Sequence, residues 1–151
     1  MNIYNTDWAV GQGGSNGRED TMLVQALFHI LYYEDVDTGC TPPAGSTGIA
    51  VDGWYGPATQ RHINHWQSQM RSDGENVLCD GVMDPFRGQK EASTISKTRY
   101  ALELLNNACH NACKDEGKTN FLNLPNRQDI PVELRNALKT VKTTAAKYQY
   151  G

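Results

Sequence analysis

The stretch that decides the fold is Val51-Asp52-Gly53-Trp54-Tyr55-Gly56-Pro57-Ala58-Thr59. Asp52-Gly53 favours a tight turn, because aspartate bonds nearby backbone N–H groups and glycine tolerates positive φ. Gly56-Pro57 reads as a helix start, since proline at the first helical position gives up an N–H that has no intrahelical partner. The stretch has an echo. Val77-Leu78-Cys79-Asp80-Gly81 again places Asp-Gly after apolar residues, 28 positions beyond Asp52. One helical segment fits between the two turns, so the chain reads as two units of one plan: helix, loop ending in Asp-Gly, helix.

Working outward, Leu23, Leu27, Ile30 and Leu31 recur at helical spacing and predict a first helix over 18–33, ended by Glu34-Asp35-Val36-Asp37. Asn16, three residues before Glu19, suits a capping box. Residues 34–51 carry glycine and proline and predict a long loop. Ile63, Trp66, Gln67 and Met70 mark one side of a second helix, 57–71, with Trp66 in the core. A polar turn follows at 72–76. Residues 84–93 read as irregular. A third helix is expected over 94–113, with Ile95, Tyr100, Leu102, Leu105, Cys109 and Ala112 among its apolar positions. After a polar linker at 114–129, Pro131 opens a last helix in which Leu134, Leu138, Val141, Ala145 and Tyr148 form an apolar stripe. That stripe packs on the first three helices or on a partner helix from another chain. The expected organisation is an N-terminal loop at 1–17, a helical domain at 18–113, and a linker with a C-terminal helix at 114–151.

Composition narrows the function classes. The 151 residues are 38% hydrophobic and 21% charged, the balance of a globular domain. A net charge of −3 argues against a nucleic-acid module or a polybasic membrane-surface domain. The longest mostly apolar stretch, Met22 to Tyr33, is too short to span a bilayer. Met1 to Asp7 lacks the basic and apolar regions of a secretory signal. The chain is therefore expected to be made in the cytoplasm.

Chemistry-bearing motifs are sparse. No nucleophile elbow, phosphate loop or His-Glu-x-x-His occurs, so the chain is read as non-catalytic. His62 and His65, with Cys109 and Cys113, have helical spacings that could together give a Cys2His2 zinc tetrahedron. The plainer reading is surface histidines and core or disulfide cysteines, and no metal or cofactor is expected. Four cysteines, Cys40, Cys79, Cys109 and Cys113, allow three full pairings, and any bridge should join a loop cysteine to another element.

Val24-Gln-Ala-Leu-Phe-His-Ile-Leu-Tyr-Tyr33 resembles the opening helix of the peptidoglycan-binding-domain-like family, and Asp52-Gly-Trp-Tyr-Gly-Pro-Ala-Thr59 resembles its aspartate-glycine-x-x-glycine-proline-x-threonine signature. His65-Trp-Gln67 and Asp80-Gly-Val-Met-Asp-Pro85 are similar to further parts of the pattern, and Val10 to Asn16 to an N-terminal extension of some members. The likeness covers about 10–105. It departs where the glycine before Tyr32-Tyr33 is missing, where 38–49 looks inserted, and where Asp84 replaces a glycine with no threonine after Pro85 at the usual offset.

The resemblance implies an all-α fold: a small three-helix bundle with a pseudo-twofold repeat, plus an extra C-terminal helix. It implies a non-catalytic module that binds peptidoglycan or a muropeptide at the cell envelope or periplasm. The ligand-binding set is then Gln25, Asp52, Gly53, Trp54, Tyr55, Thr59, Gln67, Asp80 and Gly81, with Trp54 exposed for stacking on a sugar face and Tyr55 buried. The alternative is a protein-interaction module, an adaptor or cargo of a phage-like or contractile secretion machine, with a partner engaged through 131–148.

Overall fold

The computed structural model describes residues 3–87 and 98–139. Among them the chain is mainly helical. The order is β1 (Val10–Gly11), α1 (Arg18–Tyr33), α2 (Pro57–Ser72), β2 (Val82–Met83), α3 (Ala101–Asp115), a 3-10 turn at Leu124–Asn126, and α4 (Val132–Lys139). β1 and β2 pair antiparallel, Val10 opposite Met83 and Gly11 opposite Val82. The chain is mainly helical as expected, and this small ribbon is the one addition among the described residues. Two-residue strands are too short to show alternation, and their pairing joins segments some 70 positions apart.

α1 is the axis of the core. Met22, Leu23, Val24, Leu27, Phe28 and Ile30 are wholly buried, and the helix packs against both α3 and α4. A helix apolar on most sides must be covered on most sides. α2 brings Ile63, Trp66 and Met70 inward and packs on α3, where the Trp66 Nε1–H donates to Ala101 O at 2.9 Å. Leu102, Leu105, Cys109 and Cys113 form the inner side of α3. α4 buries Leu134 and Leu138 against α1 and the 3-10 turn, so this part of its stripe is used inside the chain. Val141, Ala145 and Tyr148 lie outside the described residues.

Two local expectations change. Asn16 is not the cap of α1; Gly17 is, with no side-chain cap bond. Asn16 adopts φ 53° and turns its amide onto Gly11, accepting from Gly11 N–H at 2.7 Å and donating to Gly11 O at 3.1 Å. α3 begins at Ala101, not near 94; Thr98 to Tyr100 are non-helical. The Arg99 N–H donates to Asn76 O at 2.7 Å, which holds this segment against the α2–β2 connection instead of winding it. Residues 94–97 lie outside the described residues.

The N-terminal segment, read as a loop, is stitched into the body. Asn106 makes a reciprocal pair with the Tyr4 backbone, accepting from its N–H at 2.8 Å and donating to its carbonyl at 3.0 Å. Asn5 does the same with the Phe86 backbone, both bonds at 2.8 Å. Ile3, Tyr4 and Val10 are buried.

The linker after α3 is held by one carboxylate. Glu34 accepts from both terminal nitrogens of Arg127 at 2.8 and 2.7 Å and from Asn120 Nδ2 at 2.9 Å, and lies 2.6 Å from His29 Nδ1. Burial works to raise this carboxyl. The bonds from His29, Arg127 and Asn120 outweigh it and hold the group at about 2.

Candidate functional site: two clamped turns and the cleft beside them

Each Asp-Gly turn is gripped by a glutamine from a preceding helix. Gln25, on α1, accepts through Oε1 from Asp52 N–H at 3.0 Å and Gly53 N–H at 2.9 Å. Its Nε2 donates to Asp52 Oδ1 at 3.1 Å, Trp54 O at 3.0 Å and Thr59 Oγ1 at 3.0 Å. Gln67, on α2, repeats the arrangement. Its Oε1 accepts from Gly81 N–H at 2.9 Å, and its Nε2 donates to Asp80 Oδ1 at 3.3 Å and Val82 O at 2.9 Å. Each aspartate closes its own turn, accepting from Trp54 N–H at 2.9 Å and from Val82 N–H at 3.1 Å. The second clamp lacks the hydroxyl acceptor of the first. No threonine stands after Pro85 where Thr59 stands after Pro57, and among the described residues no helix starts directly after the second turn.

The glycines are required where they stand. Gly53 has φ 76° and Gly81 φ 75°, in the left-handed region. A Cβ on Gly53 would lie 2.8 Å from Arg18 Cγ and 3.0 Å from Arg18 O. On Gly81 it would lie 3.0 Å from Gln60 Nε2. Gln60 also ties the turns together: its Oε1 accepts from the Tyr55 hydroxyl, and its Nε2 donates to Gly81 O at 2.9 Å.

The nine residues expected to hold ligand therefore divide. Gln25, Thr59 and Gln67 are each 2% exposed, with polar groups bonded inside the protein; they shape the turns. Gly53 and Gly81 are buried in the turns themselves. Asp52, Asp80 and Trp54 are exposed, Trp54 by 70%, and Tyr55 is half-buried. The Trp54 ring lies over Gly56, so close that a Cβ there would meet it at 2.9 Å.

A cleft of about 330 Å³ opens beside the second turn, lined by Asp80, Asp84, Arg87 and Tyr100 among others, with the exposed Leu78 at its edge. Partial burial and the Asp80 carboxylate push the Asp84 carboxyl up, and Arg87 pulls it back. The Tyr100 ring meets Phe86 edge-on at 5.1 Å. Sequence reading missed Arg87 and Tyr100 and treated Asp84 only as a departure from a pattern. The available signal was the run Asp80-Gly-Val-Met-Asp-Pro-Phe-Arg87, which sets charges of both signs within one short segment. A more open groove of about 690 Å³ lies between Ile49–Val51 and the start of α4.

The Cys2His2 set that the helical spacings would allow does not assemble. His62 is buried, with Nε2 2.7 Å from the Tyr33 hydroxyl and Nδ1 2.8 Å from Ala58 O, and His65 Nε2 lies 2.7 Å from Thr41 O. Among the described residues no group of three or more histidine, cysteine or acidic side chains is placed to hold a metal. All four cysteines are free thiols; Cys109 and Cys113 are buried one turn apart in α3, and the Cys109 Sγ–H donates to Leu27 O at 3.4 Å. No helix among the described residues is long and apolar enough to cross a membrane. Comparison with protein-family models, with curated proteins and with solved structures finds no match to this chain.

Proposed function

We propose that this chain is a non-catalytic module that binds peptidoglycan, holding a wall fragment across the two Asp-Gly turns. The observation that carries the reading is the convergence of the residues behind the resemblance. Gln25, Asp52 and Thr59 are scattered over 35 positions, and they form one hydrogen-bonded unit. Gln67 and Asp80 form a second such unit. Turns fixed in this way present Asp52, Asp80 and Trp54 to solvent with little conformational freedom left to lose on binding. The exposed indole offers a flat face for a sugar ring, while the aspartates offer acceptors to hydroxyl and amide groups.

The test is retention of the purified chain on insoluble peptidoglycan sacculi over a salt titration. Retention that survives moderate salt, and falls on Trp54→Ala with folding intact, is the expected result. A chain left in the supernatant at low salt overturns the reading.

A further inference from the structure

We infer that the cleft between the second Asp-Gly turn and the start of α3 is a subsite for a zwitterionic amino-acid end, with Asp80 and Asp84 receiving an ammonium group and Arg87 a carboxylate. The turn at Asp80-Gly81 sets one wall, because Gln67 fixes Asp80 Oδ1 at 3.3 Å and Gly81 N–H at 2.9 Å. Pro85 and Phe86 are buried, and Asn5 pins the Phe86 backbone through two bonds of 2.8 Å. Asp84 and Arg87 therefore flank a rigid dipeptide while being exposed themselves. Tyr100 closes the cleft from the start of α3, anchored to Phe86 by ring contact.

The charges choose the ligand. Two guanidiniums line the cleft; Arg99 is engaged by Glu75 at 3.4 Å and Glu103 at 3.1 Å, which makes Arg87 the one to meet a ligand carboxylate. Asp80 and Asp84 line the same cleft and repel each other, and a bound ammonium relieves that repulsion. A guanidinium is the best side chain for pairing a carboxylate in two-pronged fashion. A purely cationic ligand would leave Arg87 facing positive charge, and a purely anionic one would face Asp80 and Asp84. A ligand with both groups a few bonds apart meets neither penalty. The cleft volume of about 330 Å³ suits one or two amino-acid units. If the wall-binding reading holds, on which this identification rests, the natural occupant is the free diamino-acid end of an uncross-linked stem peptide.

The experiment is an amide-shift titration of the full chain with three soluble probes: meso-diaminopimelate, pimelate without the ammonium groups, and cadaverine without the carboxylates. Expected is saturable binding of meso-diaminopimelate near 1 mM, read at Gly81, Val82 and Tyr100, with each other probe at least about tenfold weaker. Asp84→Asn and Arg87→Gln, both at exposed positions, should each weaken it about tenfold with unchanged circular dichroism. Equal binding of cadaverine or of pimelate overturns the inference, as does absence of shifts at these residues. Sacculi retention measured in parallel separates the two claims. Retention without meso-diaminopimelate binding removes the subsite and leaves wall binding standing. The reverse result removes wall binding and leaves the subsite.

Discussion

Gln25 and Gln67 hold their turns through the same bond, Oε1 accepting from the glycine N–H at 2.9 Å in each case. Both side chains are buried, and truncating either leaves a buried glycine N–H without this partner. Such a group costs about 1–3 kcal/mol. Gln25 makes five bonds to its turn and to Thr59, and Gln67 makes three. Gln25→Ala should therefore lower unfolding free energy by about 3 kcal/mol and Gln67→Ala by about 2 kcal/mol. Urea denaturation followed by tryptophan fluorescence measures both. Losses below about 0.5 kcal/mol, the range of ordinary surface changes, would show that the clamps do not hold the turns.

The glycines give an ordering. Alanine at either position must adopt φ near 75°, a strain of about 1–2 kcal/mol. At Gly53 the new Cβ also meets the Arg18 backbone carbonyl, which cannot move without disturbing α1. At Gly81 it meets the end of the Gln60 side chain, which can swing aside. Gly53→Ala should be the more destabilising of the two. Equal melting temperatures for the two variants would count against the close fit of the first turn on α1.

Glu34 sets an acid limit. Its carboxyl sits at about 2 in the folded protein against 4.5 for an ordinary glutamate. A carboxyl depressed by folding adds stability that is present above its unfolded value and is lost as pH falls toward its folded one. The chain should thus lose about 2 kcal/mol between pH 5 and 2 through this group, allowing for solvent screening. Glu34→Gln should be less stable at pH 7 and should show a flatter acid limb. Parallel stability curves for wild type and variant across this range would contradict the assignment.

How far the sequence disclosed this arrangement depended on how local the signal was. The bounds of α1 follow from apolar spacing together with the breakers after Tyr33, and α2 starts at Pro57 as Gly56-Pro57 implies. Trp66 is core, as its place on the apolar side of α2 requires. α3 starts later than apolar spacing implies, because a bond between Arg99 and Asn76, distant in sequence, overrides the local preference. Asn16 has the residue type and spacing of a cap, yet it serves Gly11 five positions back. The Glu34–Arg127 pair joins residues 93 apart, and no short-range pattern announces it. At the site, the Asp-Gly repeat was legible. The sequence did not reveal that Gln25, Gln67 and Thr59 would be consumed in building it, since a glutamine that clamps a turn and one that binds a ligand look alike in one dimension.

Thiol reactivity should follow burial. Cys79 is exposed, Cys40 is half-buried, and Cys109 and Cys113 are buried. Desolvation pushes the Cys109 thiol well up, with the neighbouring Cys113 adding to it, and it raises Cys40 and Cys113 as well. The thiolate is the reacting species, so Cys79 should label first with an aromatic disulfide reagent at neutral pH. Cys109 should label only on unfolding. Mass mapping of the first modified peptide decides this, and early modification of Cys109 would contradict the packing of α3 on α1.

The two tryptophans of α2 and its approach should separate stability from binding. Trp66 is wholly buried and its Nε1–H bonds Ala101 O, so Trp66→Ala opens a large cavity and removes a partner from that carbonyl. Substitutions of this kind cost about 3–5 kcal/mol. Trp54 is exposed and rests only on the turn before α2, so Trp54→Ala should shift stability by about 0.5 kcal/mol or less. On sacculi the order reverses in meaning. Any Trp66→Ala chain that stays folded at low temperature keeps both clamped turns and should be retained, whereas Trp54→Ala should be lost to the supernatant. Retention of folded Trp54→Ala equal to wild type would remove the indole from the binding surface. The turns would then have to bind through Asp52 and Asp80 alone.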